Sequence, residues 1–170
     1  MRNIINSSSG NTNWCIPSND GWNNICFSVI SMVSISGRTL LKCSARVEGN
    51  FWDRESIQLC EKDSWGLIQD HFIELPQLFF DMHSLEELVT LFESWSNIND
   101  TVNLQLGGYE DQNIRLVIGR RDDLITGEHK PAFTFICEMS RINVEIYYVI
   151  DSSCISLARE QLIYCLNQFK

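Results

Sequence analysis

The sequence predicts an antiparallel α+β domain. Its apolar runs alternate or are β-branched and are joined by short turns, only two stretches carry helical periodicity, and strand and helix never alternate in the way that winds a parallel sheet. The 170 residues, 44% of them hydrophobic, suffice for one sizeable core, and no internal repeat or break in composition marks a second domain.

The elements follow in chain order. Residues 1–24 are rich in Asn and Ser and read as a flexible arm ahead of a single domain over 25–170, with Trp14, Ile16 and Trp22 able to dock part of the arm. NICFSVISMVSI (24–35), a Ser-Gly-Arg turn at 36–38 and TLLKCSARVEG (39–49) read as a hairpin. SIQLCEK (56–62) and LIQDHFIELPQLFF (67–80) are further extended segments, with Pro76 at an edge or a bend because it cannot donate to a ladder.

DMHSLEELVTLFESW (81–95) changes period: Leu85, Leu88, Val89, Phe92 and Trp95 form one apolar stripe, which predicts a helix over about 84–97. Ser84 with Glu87 three residues on has capping-box spacing, placing the start near Ser84, and Asp81, Glu86 and Glu87 lie where the helix dipole favours negative charge. TVNLQL (101–106), NIRLVIGR (113–120), AFTFICEMS (132–140) and INVEIYYVI (142–150) then predict a meander, punctuated by Gly107-Gly108 and Asp122-Asp123 turns. The chain closes on a second amphipathic helix over about 152–168, with Ile155, Ala158, Leu162, Cys165, Leu166 and Phe169 on its apolar stripe and Asp151 or Ser152 as cap.

The charge is regional. Residues 48–128 hold 17 acids against Arg54, Lys62, Arg115, Arg120 and Arg121, a net of −12, while 1–47 carry +3 and 129–170 balance. Such a surface disfavours nucleic acid and anionic membranes, which gain from basic patches, and favours a basic protein partner. Helix capping and plain solubility explain the same acidity without any partner. With no run of eighteen apolar residues and an N-terminus unlike a signal peptide, the expected location is the cytoplasm. Seven cysteines, odd in number and never spaced C-x-x-C, are expected to be mostly buried thiols.

A search for chemistry leaves little. His71, His83 and His129 make no metal-ligand spacing, and neither a serine nucleophile elbow nor a phosphate-binding glycine loop is present, so no catalytic, cofactor or metal site is expected. The one enzymatic constellation is Asp70-His71 with Cys60 or Cys137 as a thiol site. On a strand, however, Asp70 and His71 point to opposite faces.

FWDRESIQLCEKDSWGLIQDHFIELPQLFFDMHSLEELVTLFESW, followed later by INVEIYYVI and SLAREQLIYCLNQF, resembles the small immunity proteins of bacterial polymorphic-toxin and contact-dependent growth inhibition systems, including the WapI-type group. The resemblance spans about residues 25–169 and rests on the order of elements. It implies a cytosolic antidote, monomeric in a 1:1 complex, that blocks the active or substrate-binding site of a toxin domain, often a nuclease. Independently of the family, a nuclease must be basic to hold a phosphate backbone, so an acidic inhibitor complements it and steers its association. The expected partner-binding residues are Asp53, Glu55, Glu61, Asp63, Asp70, Glu74 and Asp81, extended by Glu110, Asp111, Asp122 and Asp123. Trp52, Trp65, Tyr109, Phe79 and Phe80 are the candidate anchors, with core packing as the alternative role of each. A small acidic secretion chaperone, working as a homodimer on an effector segment, is the other non-catalytic reading.

Overall fold

The structure is a computed structural model that describes residues 4–5, 12–17, 24–48, 57–60, 68–69, 72–98, 100–122, 129–139, 143–150 and 152–170. In chain order the elements are β1 (Ile4–Ile5), β2 (Asn13–Pro17), β3 (Asn24–Ile35), β4 (Arg38–Glu48), β5 (Ile57–Cys60), β6 (Ile68–Gln69), β7 (Phe72–Asp81), α1 (Met82–Glu93), a 3-10 turn (Trp95–Asn97), β8 (Val102–Gly107), β9 (Asn113–Asp122), β10 (His129–Glu138), β11 (Asn143–Val149) and α2 (Ser152–Asn167). All described pairings are antiparallel and join the strands in the order β1-β3-β4-β7-β8-β9-β10-β11-β5, with β2 also on β3 and β6 also on β7. This is the predicted α+β class.

The hairpin of β3 and β4 closes through Ser36 (φ 52°) and Gly37 (φ 80°). Two successive left-handed residues make the turn whose twist matches that of paired strands. In β7 the predicted bend is present: Gln77, just after Pro76, has φ 59°, and the β4–β7 register shifts between Cys43 and Ala45. One extra residue there lets the strand turn without losing its pairing.

Between β7 and β8 the ladder narrows to one bridge, Phe80 opposite Gly107. The sheet turns a corner at that bridge. A flat sheet would hold β3 and β10 five strand spacings apart, about 24 Å, yet the rings of Phe27 on β3 and Phe135 on β10 are 5.5 Å apart. The two halves of the sheet therefore face each other across a shared core. Trp14 stacks on Phe27 at 4.2 Å, and Phe80 sets its edge against Phe27 at 5.2 Å.

Helix α1 packs Leu85, Leu88 and Phe92 inward, with Phe92 5.8 Å from Phe133 and with Val89 and Trp95 half-buried beside the core. Its start corrects the expected capping box. Asp81, still extended at the end of β7, is the N-cap, and its carboxylate accepts a hydrogen bond from the His83 N–H at 3.0 Å. Ser84 falls inside the first turn because a carboxylate two residues upstream of His83 reaches that free N–H first. The expected end near residue 97 corresponds to α1 plus the 3-10 turn. In α2 the predicted residues Ile155, Ala158, Leu162, Cys165 and Leu166 are buried; Asp151 lies outside the described residues.

Within the stretch expected as an arm, residues 13–17 are a strand, and Trp14 and Ile16 enter the core with exposures of 0% and 1%. Burial of an indole and a branched alkyl chain, together with the ladder to β3, offsets the ordering entropy of the strand. Trp22 lies outside the described residues. Cys43, Cys137 and Cys165 are the expected buried thiols and Cys154 is half-buried, but Cys15 and Cys26, opposite each other on β2 and β3, form a disulfide. Spacing along the chain does not reveal that pairing; the strand register does.

Candidate functional site

Four of the expected partner-binding acids have described side chains: Glu74, Asp81, Glu110 and Asp111. Asp53, Glu55, Glu61, Asp63, Asp70 and Asp123 lie outside the described residues, as do Trp52 and Trp65. Asp122, expected in a turn, is the last residue of β9 and pairs with His129; the strand runs further than the Asp-Asp signal indicated.

Asp81 is engaged within the fold. Besides capping α1, its second carboxylate oxygen accepts from Nε and one terminal nitrogen of Arg38, both at 3.0 Å. Glu74 is exposed and stands opposite Arg46 in the β4–β7 register. The acids of α1 are engaged in the same way: Glu86 lies 3.0 Å from Lys170 Nζ, Glu93 3.5 Å from Arg159 and Glu87 3.4 Å from His83 Nε2. Two of these partners sit on the C-terminal segment, Arg159 in α2 and Lys170 beyond its end, so the helical acidity ties α1 to that segment.

Glu110 and Asp111 sit in a different part of the fold. They form the exposed tip of the β8–β9 connection, which folds back over β7. Gly107 and Gly108 permit the close approach: a Cβ on Gly107 would run into the Phe79 carbonyl oxygen, and one on Gly108 into that of Gln112. Gly108 N–H donates to Phe79 O at 2.9 Å. The Gln112 side chain then acts as one more strand residue, its Oε1 accepting from Phe79 N–H at 3.2 Å and its Nε2 donating to Gln77 O at 2.6 Å, while its own N–H closes the tip on Tyr109 O at 3.2 Å.

This clamp brings the half-buried rings of Phe79 and Tyr109 edge to face at 5.5 Å, beside Glu110 (φ 61°) and Asp111. Phe80, the neighbouring anchor candidate, is fully buried; strand alternation sends it to the core and Phe79 outward. Composition flagged the aromatics and the acids separately. Gln112 carried no signal, because a side-chain amide that bonds a distant backbone has no local pattern.

The thiol constellation does not form a described site. Cys137 is fully buried, and burial, with Glu138 nearby, pushes its thiol up to about 12. Asp70 and His71 lie outside the described residues, and only the backbone of Cys60 is described. Among the described residues no group of His, Cys, Asp and Glu side chains is placed to hold a metal ion, and no helix is long and apolar enough to cross a membrane. Comparisons with protein-family models, with curated proteins and with solved structures found no match to this chain.

Proposed function

We propose that this chain is an immunity-type binding protein that acts in the cytoplasm, capturing a basic toxin domain, of nuclease type, and covering its active or substrate-binding surface. The observation that carries this reading is the braced corner loop, where an aromatic pair, Phe79 and Tyr109, sits beside the exposed Glu110 and Asp111. Exposed carboxylates raise the association rate of a cationic partner, and aromatic rings that lose little freedom on docking supply anchors. Bracing through Gln112 keeps the ordering cost of binding low. The regional acidity, with residues 48–128 at a net of −12, extends the same field beyond the loop.

The test begins with the reading frame beside the gene. Its C-terminal domain is expressed with and without this chain, and the purified pair is titrated. Growth arrest that the chain relieves, with a 1:1 complex whose association slows as salt rises, is the expected result. A domain without toxicity, or toxicity that persists in the presence of the chain, overturns the reading.

A further inference from the structure

The Cys15–Cys26 disulfide staples β2, the strand that carries Trp14 and Ile16 into the core, onto β3. Both cysteines are half-buried, on the face of their strands opposite to Trp14 and Phe27. The cross-strand row that holds the bond continues to Arg46 on β4 and Glu74 on β7. Arg46 therefore stands directly opposite Cys26 in the register, with Glu74 on its far side; a cation in such a row favours a thiolate as leaving group.

The hold of β2 is otherwise limited. The strand has five residues, and the Trp14 indole N–H is buried with no hydrogen-bond partner among the described residues, which offsets part of what its ring contributes. On its other edge, Cys15 N–H donates to Gln161 Oε1 of α2 at 2.9 Å, so the anchorage of β2 also bears on that of α2.

We propose that the Cys15–Cys26 bond is a redox-responsive clasp, opened by a thiol reductant, that sets how tightly β2 and the adjoining face of α2 are held to the sheet. A thiolate of the reductant attacks Cys15 Sγ, and the S–S bond breaks as Cys26 leaves as the thiolate beside Arg46. A second thiol of the reductant displaces Cys15 from the mixed disulfide. Two electrons and two protons thus pass to the protein, leaving two cysteine thiols and an oxidised reductant. Freed of an 11-residue cross-link, β2 opens on the order of 100-fold more often by the loop-entropy relation.

Full-length protein, oxidised in air and then treated or not with a dithiol, is alkylated for mass mapping and followed by hydrogen exchange. The expected results are a Cys15–Cys26 cross-linked peptide before treatment and two added alkyl groups after it. Exchange should rise on the order of 100-fold in β2 and in the Gln161 segment of α2, with β8–β11 unchanged. Cys15→Ser/Cys26→Ser should exchange like the reduced protein without any reductant. Arg46→Gln should slow reduction several-fold while leaving the exchange of the oxidised protein unaltered. Failure to find the cross-linked peptide, exchange in β2 that ignores reduction, or acceleration spread evenly over the chain would each overturn the clasp. Equal reduction rates for Arg46→Gln and the parent would remove Arg46 from it.

Discussion

Helix α1 and the corner loop at 107–112 carry the same sign of charge in different settings. In α1 and at its cap, Glu86, Glu93 and Asp81 each face a cation supplied by another part of the fold, and the stripe beneath them is buried. In the loop, Glu110 and Asp111 stand at an exposed tip whose shape depends on two glycines and one amide clamp. Negative charge is therefore a poor guide to a partner surface until the internal cations are placed. What sets the loop apart on the proposed function is acid next to an ordered, half-buried aromatic pair.

The contrast can be broken from either side. The largest effect belongs to the packing beneath α1: Phe92→Ala should lose about 3 to 5 kcal/mol in chemical denaturation, since the ring is 2% exposed and meets Phe133. A loss below about 1 kcal/mol would mean that α1 is held by its ion pairs rather than by its stripe.

The buried thiols supply a pH lever of similar size that ignores surface charge. Burial, with Cys165 beside it, raises Cys43 well above the usual thiol range; burial raises Cys165 to about 11 and, with Glu138 nearby, Cys137 to about 12. The unfolded thiols deprotonate from about 9 while the folded ones keep their protons, so the native state binds more protons and stability falls as pH rises. From about pH 9 to 11 each thiol should remove at most about 1.4 kcal/mol per pH unit. Cys165→Ala should flatten the slope by that share, and an unchanged slope would assign it to other groups.

Gln112→Ala should cost about 1 to 3 kcal/mol, because it removes two hydrogen bonds, to the Phe79 N–H and the Gln77 carbonyl, each worth about 0.5 to 1.5 kcal/mol. Exchange protection should be lost at the corner and kept in α1. If protection at the corner survives, the glycines alone hold the loop.

The smallest effects separate structural acids from one another. Asp81→Ala removes a cap and should cost about 0.5 to 2 kcal/mol, whereas Glu86→Gln removes a solvent-facing ion pair with Lys170 and should cost about 1 kcal/mol or less, fading with added salt. A larger, salt-independent loss for Glu86→Gln would show that the tie between α1 and the C-terminal segment does more than surface pairing permits.

Much of this fold could be read from local pattern. Period 2 over 24–35 and 39–49, the Ser-Gly signal between them, and period 3.6 over 85–95 and 155–169 express interactions of a side chain with its own strand or helix. Those interactions survive in any tertiary context, and the structure places the corresponding elements within a few residues of expectation. The candidate site was legible only in pieces, with Tyr109, Phe79, Glu110 and Asp111 visible as residue types but not as neighbours.

What the chain determined by itself is the alternation, the amphipathic stripes and a net charge of −9. What only the tertiary structure decided is which residues meet. Trp14 entered the core from an Asn/Ser-rich segment, Cys15 met Cys26 through register, and Lys170 and Arg159 neutralised acids on α1 more than sixty positions earlier in the chain. Gln112 closed a corner on β7 by the same kind of distant contact. The physical reason is that loop-closure entropy grows only logarithmically with separation, so such contacts cost little more than near ones once a core forms, and they leave no periodic trace in the sequence.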